Sequence, residues 1–195
     1  VSRYQGDEIF ILLFTKEVYD YLFDNYALYI LKWNKEDIDA VIFTHDHCDH
    51  YKNLKFFSPK KCYGLKGTLP SLSNVVELFK KFTIKEIDIT PLAISHDATN
   101  PCGYMLEDKN EKLVFITDTG VFVEENLKYC KNPDYLVIES NHDISMLMKT
   151  NRPQCLKDRI MSDYGHLCNE DSAFAAINII GDIAVPISIS LQALQ

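Results

Sequence analysis

The apolar positions of this chain fall in short runs such as "IFILLF", "AVIFT", "KLVFIT" and "YLVIE", each closed by polar or turn-forming residues. Runs this short, rich in β-branched and aromatic side chains, predict strands rather than helices. Strands are expected at Ile9–Phe14, Ala40–Thr44, Lys61–Tyr63, Ile87–Ile94, Tyr104–Glu107, Leu113–Thr117, Tyr135–Glu139 and Ile187–Leu191. Wider apolar spacing predicts helices at Lys16–Leu31, Ser71–Lys81, Glu124–Tyr129, Gln154–Met161 and Asn169–Ile180. Signals at both ends mark the last of these: Asn169 as N-cap, Glu170 and Asp171 in the first turn, and Gly181 at the stop. The mixture points to an α/β protein, and 195 residues with 47% hydrophobic content suit one domain over residues 1–195.

Several predicted strands run straight into polar clusters. Thr44 precedes His45, Ile94 precedes Ser95 and His96, Thr117 precedes Asp118, and Glu139 leads to Asn141 and His142. Side chains at successive strand ends can converge on one rim of a sheet, where α/β proteins commonly build sites.

The densest cluster is "THDHCDH", which places three of the chain's six histidines in one turn. A strand followed by a tight turn presents His45, His47, Asp49 and His50 within a few residues. Divalent metals such as zinc accept this nitrogen and oxygen set, and an open coordination position marks a catalytic site. Two sub-sites can share the loop, with His45 and His47 turned to one ion and Asp49 and His50 to the other. Each residue alone reads more readily as a turn or capping group; the four together after an apolar strand read as metal binding.

"THDHCDH" resembles the HxHxDH signature of the metallo-β-lactamase superfamily. The resemblance implies an αββα sandwich of two mixed sheets flanked by helices, with metals at one sheet edge. It also implies a later lone His and a later Asp, places filled by His96 in "ISHDA" and Asp118 in "ITDTG". By that likeness His96 completes the first metal site with His45 and His47, Asp49 and His50 serve the second, and Asp118 bridges the two. The segments "SHDATNPCGYML", "VFITDTG", "LVIESNHD" and "LKDRIMSDYGHLCNEDSA" are similar to the YycJ/WalJ branch, regarded as 5′-to-3′ DNA exonucleases. The similarity runs from about Asp37 to Asp182.

The resemblance implies a metal-dependent phosphodiesterase that attacks DNA with a metal-bridging hydroxide, using two divalent ions, zinc or manganese. His142 and His166 are then expected near the site, steadying phosphoryl oxygens or donating to the leaving group, so that Asp49, Asp118, His142 and His166 make up the catalytic set. Two departures stand out. Residues 1–36 lack the branch's Gly/Ser-rich hairpin and Asp-x-Gly turn, and "VPISISLQALQ" lacks the His that ends the family's final strand. A fold incomplete at both termini, a weakened second metal site and a homodimer covering an open sheet edge are therefore expected. Two other functions share the same motifs: a small-molecule hydrolase of lactones, thioesters or cyclic phosphates, and a metal-binding scaffold without activity.

Charge and cysteine content narrow the setting. A formal net charge of -8 disfavours broad attraction to nucleic acid or anionic membrane, leaving a local cationic site made by metal. Six cysteines without a CxxC pair, and no apolar run long enough to span a bilayer, predict a cytoplasmic protein with reduced thiols. Lys52, Lys55, Lys60, Lys61 and Lys66 come after the metal loop and are candidates for tracking a phosphate backbone, although surface lysines are ordinarily just solvated.

Overall fold

The computed structural model describes residues 11–14, 38–51, 61–69, 72–181 and 187–190, with side chains described except at 11–14, Asp49 and 187–190. The chain divides into two compact units, Val1–Glu77 with Ala98–Pro101, and Leu78–Asp97 with Cys102–Gln195. Each is built around its own sheet.

In the first unit, β1 (Ile11–Phe14), β2 (Ala40–Phe43), β3 (Cys62–Leu65) and β4 (Asn74–Val76) lie in that order, and every described pair is parallel. All four residues of β2 are buried, as an apolar run inside a parallel sheet requires. Between β2 and β3 a single turn of helix, α1 (Cys48–Tyr51), carries the end of the histidine motif. The helix expected at Lys16–Leu31 lies outside the described residues.

The helix expected at Ser71–Lys81 is not formed where the structure describes that segment. Asn74–Val76 is a strand paired with β3, and Phe79 sits at φ +60 in the left-handed region, which no helix interior tolerates. Two adjacent valines favour the extended chain, and the Phe79 N–H bonds the Pro91 carbonyl while its ring stacks on Tyr129 at 5.0 Å. Sheet pairing and packing thus override the helical spacing.

The second unit holds a sheet ordered β10-β9-β8-β7-β6-β5. Its strands are β5 (Phe82–Ile84), β6 (Ile87–Ala93), β7 (Cys102–Glu107), β8 (Lys112–Ile116), β9 (Tyr135–Glu139) and β10 (Ile187–Ser190). From β5 to β8 the pairs are antiparallel, and β8–β9 and β9–β10 are parallel, so strand directions mix in this sheet. A 3-10 turn at Glu124–Asn126 leads into α2 (Leu127–Cys130), and α3 (Ile144–Lys149), α4 (Gln154–Ile160) and α5 (Asn169–Ile180) come after β9.

Leu92, Met105, Val114, Ile116, Leu136 and Ile138 from the strands form one core with Ala175, Ala176, Ile179 and Ile180 of α5. Each large aliphatic side chain buried there contributes about 1.5–3 kcal/mol. This core fixes the C-terminal ends of β6, β8 and β9. The N-cap of α5 is Cys168, whose sulfur accepts the Asp171 N–H, and not Asn169, whose amide oxygen accepts the Ser140 hydroxyl. Among the described residues no helix is long and apolar enough to cross a membrane.

Candidate metal centre

In the first unit the chain leaves β2 at Thr44 and turns at once into the histidine motif. His45 and His50 are 0% and 2% exposed, and the His45 ring lies 4.7 Å from that of His47 and 4.0 Å from that of His50. The turn closes through the His50 N–H on the His47 carbonyl. Asp46 accepts the Thr99 N–H at 2.9 Å; burial alone would raise its carboxyl, but hydrogen bonds from Thr99 hold it below the ordinary value. Asp46 therefore pins the loop from outside. The Asp49 side chain lies outside the described residues, as do Lys52, Lys55 and Lys60, while the Lys61 ammonium bonds the Ile38 carbonyl.

In the second unit His96, at the end of β6, and Asp118, at the end of β8, are 6% and 3% exposed. With His166 they form a group whose ligand atoms all lie within 4.8 Å of one another. Two imidazoles and a carboxylate so gathered suit a divalent cation, and without one their burial is costly. The Gly165 carbonyl lies 3.0 Å from His96 Nδ1. A carbonyl only accepts, so Nδ1 carries the hydrogen and Nε2 keeps the lone pair a metal needs. Asp118 adopts φ +55, a strained conformation for a residue other than glycine, and such strain gathers at sites where side-chain placement matters.

Behind this group sits Glu139, the last residue of β9, with no exposed surface. Its Oε1 accepts His166 Nδ1–H at 2.6 Å, and its Oε2 accepts the N–H groups of Thr119 at 3.0 Å and Leu167 at 3.3 Å. Burial, aided by the Asp118 charge, raises the Glu139 carboxyl despite the hydrogen bond from His166. Burial alone would lower His166, yet the hydrogen bond and charge of Glu139, with the Asp118 charge, raise it on balance. Both shifts lean toward the protonated forms, and His166 Nδ1 lies 3.9 Å from Asp118 Oδ1.

His142 is 3% exposed, and its Nδ1 has no hydrogen-bond partner among the described residues. Burial and the neighbouring His166 charge lower its pKa, favouring the neutral ring. Its main chain bridges to Cys168, which extends the β9 direction into the start of α5. His142 falls outside the groups of convergent metal donors.

The second unit therefore brings together His96, Asp118 and His166, and the first unit brings together His45, His47 and His50. Glu139 was absent from the sequence-derived site, although a carboxylate closing the apolar strand "YLVIE" was a visible signal. A second omission was Arg159, which grips Asp97 beside His96.

Residues 25–189 match the model of the beta-lactamase superfamily domain. The exodeoxyribonuclease YycJ of Bacillus anthracis is 35% identical over 164 residues, covering 76% of this chain and 62% of that protein. The exodeoxyribonuclease WalJ of Streptococcus pneumoniae is 33% identical over 163 residues, covering 75% and 61%. The chain thus spans about three fifths of the length of these curated relatives. Among solved structures, Zn(2+)-bound PqqB of Methylobacterium extorquens superposes with a TM-score of 0.66 at 16% identity, over 94% of this chain and 72% of that one. That likeness shows the fold, the α/β metallo-β-lactamase architecture expected from "THDHCDH".

Proposed function

The chain belongs to the beta-lactamase superfamily, and from that premise we propose that it is a metal-dependent phosphodiesterase acting on DNA as a 5′-to-3′ exonuclease. The observation that carries the proposal is the hydrogen-bonded His166–Glu139 pair beside Asp118 and His96. Breaking a P–O bond in DNA leaves a sugar oxygen that must be protonated, and a half-buried imidazole oriented by a buried carboxylate is suited to give that proton. The names of the relatives, both exodeoxyribonucleases, support DNA as the substrate.

We assign His45, His47 and His96 to one ion, Asp49 and His50 to the other, and Asp118 to both. The order of the motifs along the chain supports this assignment. Divalent ions held there, zinc or manganese, would supply Lewis acidity toward a phosphoryl oxygen and toward water. The chain's own residues do the rest. Glu139 fixes the His166 ring and, through Thr119, the main chain next to Asp118. His166, given no ion in this assignment although it stands among the convergent donors, supplies the proton for the leaving oxygen. We also assign to His142, whose burial favours the neutral ring, the steadying of a phosphoryl oxygen.

The test compares two leaving groups. His166→Asn should slow hydrolysis of a DNA strand about 100-fold to 10,000-fold, the usual worth of a general acid. The same variant should retain most of its activity on a nitrophenyl phosphodiester, whose leaving group needs no proton. Equal losses on both substrates would remove His166 from the acid role, and a wild-type protein inert on both would sink the hydrolase itself.

A further inference from the structure

We propose that Arg159 is a positioning residue: through the carboxylate of Asp97 it holds the loop carrying His96 against the loop carrying His166. The inference rests on the reading of those two histidines as site residues. Arg159 Nε and Nη2 donate to Asp97 Oδ2 and Oδ1 at 2.5 and 2.9 Å, a two-pronged contact between α4 and the segment after β6.

The two loops also meet along their main chains. The Asp97 N–H donates to the Tyr164 carbonyl at 3.1 Å, His96 Nδ1 bonds the Gly165 carbonyl at 3.0 Å, and the His166 N–H returns to the Ile160 carbonyl at 2.9 Å. The His96 and His166 rings stand 5.1 Å apart. Gly165 admits no side chain, because a Cβ there would lie 2.2 Å from the Ile160 carbonyl oxygen and 2.3 Å from that of Arg159. The turn between Arg159 and His166 is therefore tight, and a force applied at Arg159 is felt at His166.

The pair's exposure separates this role from simple stabilisation. Arg159 and Asp97 side chains are 50% and 34% exposed, so solvent screens their attraction and the pair adds little to global stability. It adds orientation instead, since a planar guanidinium on both oxygens of one carboxylate fixes direction as well as distance. Arg159 also keeps Asp97 Oδ1 at 3.6 Å from His96 Nε2, the nitrogen a metal would use.

The experiment uses the whole chain and the variants Arg159→Gln, Arg159→Lys, Asp97→Asn and the double variant Asp97→Asn/Arg159→Gln. Three quantities are measured: zinc affinity by chelator competition, kcat and KM on a 5′-phosphorylated DNA strand, and hydrogen exchange at the Asp97 amide. Each charge-removing single variant should bind zinc about 10-fold or more weakly, in line with other groups that orient metal ligands. It should also lower kcat with KM unchanged and speed exchange at Asp97, while the thermal midpoint stays near that of the wild type. The double variant should be no worse than the worse single, and Arg159→Lys should recover part of the loss.

Unchanged zinc affinity and exchange in the single variants would overturn the proposal. A raised KM with kcat intact would overturn it too, making Arg159 a phosphate contact. If the wild type bound no zinc or left DNA intact, the proposed function would fall. The exchange measurement would then still decide the strut: faster exchange in Arg159→Gln sustains it, and unchanged exchange removes it.

Discussion

Oε1 of Glu139 lies 2.6 Å from Nδ1 of His166, while Oε2 of the same carboxylate accepts the N–H of Thr119, the residue after Asp118. One buried acid thus sets the position of both an imidazole and a neighbouring carboxylate. The end of β9 supplies it, so the second unit's core is connected directly to the chemistry at its rim.

On the metal-free protein, NMR titration should show His166 above and His142 below their common ordinary value of 6.5. The consequences for stability have opposite signs. The raised His166 contributes stability that is present below pH 6.5 and lost as pH rises through its folded value. The lowered His142 contributes stability present above pH 6.5 and lost as pH falls from there through its folded value. Glu139→Gln should lower the His166 pKa relative to the wild type, because the hydrogen bond to a charged partner goes and the burial stays.

Glu139→Ala should cost about 3–5 kcal/mol in urea denaturation, because it strands a half-buried imidazole and two main-chain N–H groups at once. Glu139→Gln keeps an acceptor oxygen and should cost less. A loss below about 1 kcal/mol for the alanine variant, no more than one ordinary hydrogen bond contributes, would mean that solvent takes over these bonds.

Two glycines should separate site geometry from general stability. In Gly165→Ala the new methyl group meets main-chain oxygens at 2.2 and 2.3 Å, so the turn before His166 must move. A loss of about 1–3 kcal/mol is expected, together with a fall in kcat. Gly181→Ala, at φ +65 and ψ -133 with nothing nearer than 3.6 Å, should cost about 1–3 kcal/mol through backbone strain and leave kcat alone. Denaturation and turnover measured on the same samples check both.

Much of this was legible in the chain. "AVIF", "KLVFI" and "YLVIE" became strands at nearly their expected bounds, because short β-branched runs closed by polar residues leave few alternatives. His96 and Asp118, at the ends of such strands, came together in one unit for the same reason. The failures were nonlocal. Ser71–Lys81 has helical spacing, but β3 and Tyr129 supply partners that periodicity cannot show. Glu139 and Arg159 escaped notice because their meaning lies in contacts with residues 27 and 62 positions away in the chain. His166, expected as a substrate contact or proton donor and not as a metal ligand, also stands among the metal-binding candidates, on the tight Gly165 turn.

The most direct test of the central claim is metal content titrated against DNA degradation. Purified protein is analysed for zinc, manganese and iron while activity on a 5′-phosphorylated strand is monitored through chelation and reloading. The account predicts close to two metals per chain, with degradation lost on chelation and restored on reloading. A chain that degrades DNA at full rate with no bound metal, or that binds metal and leaves every phosphodiester intact, would contradict it.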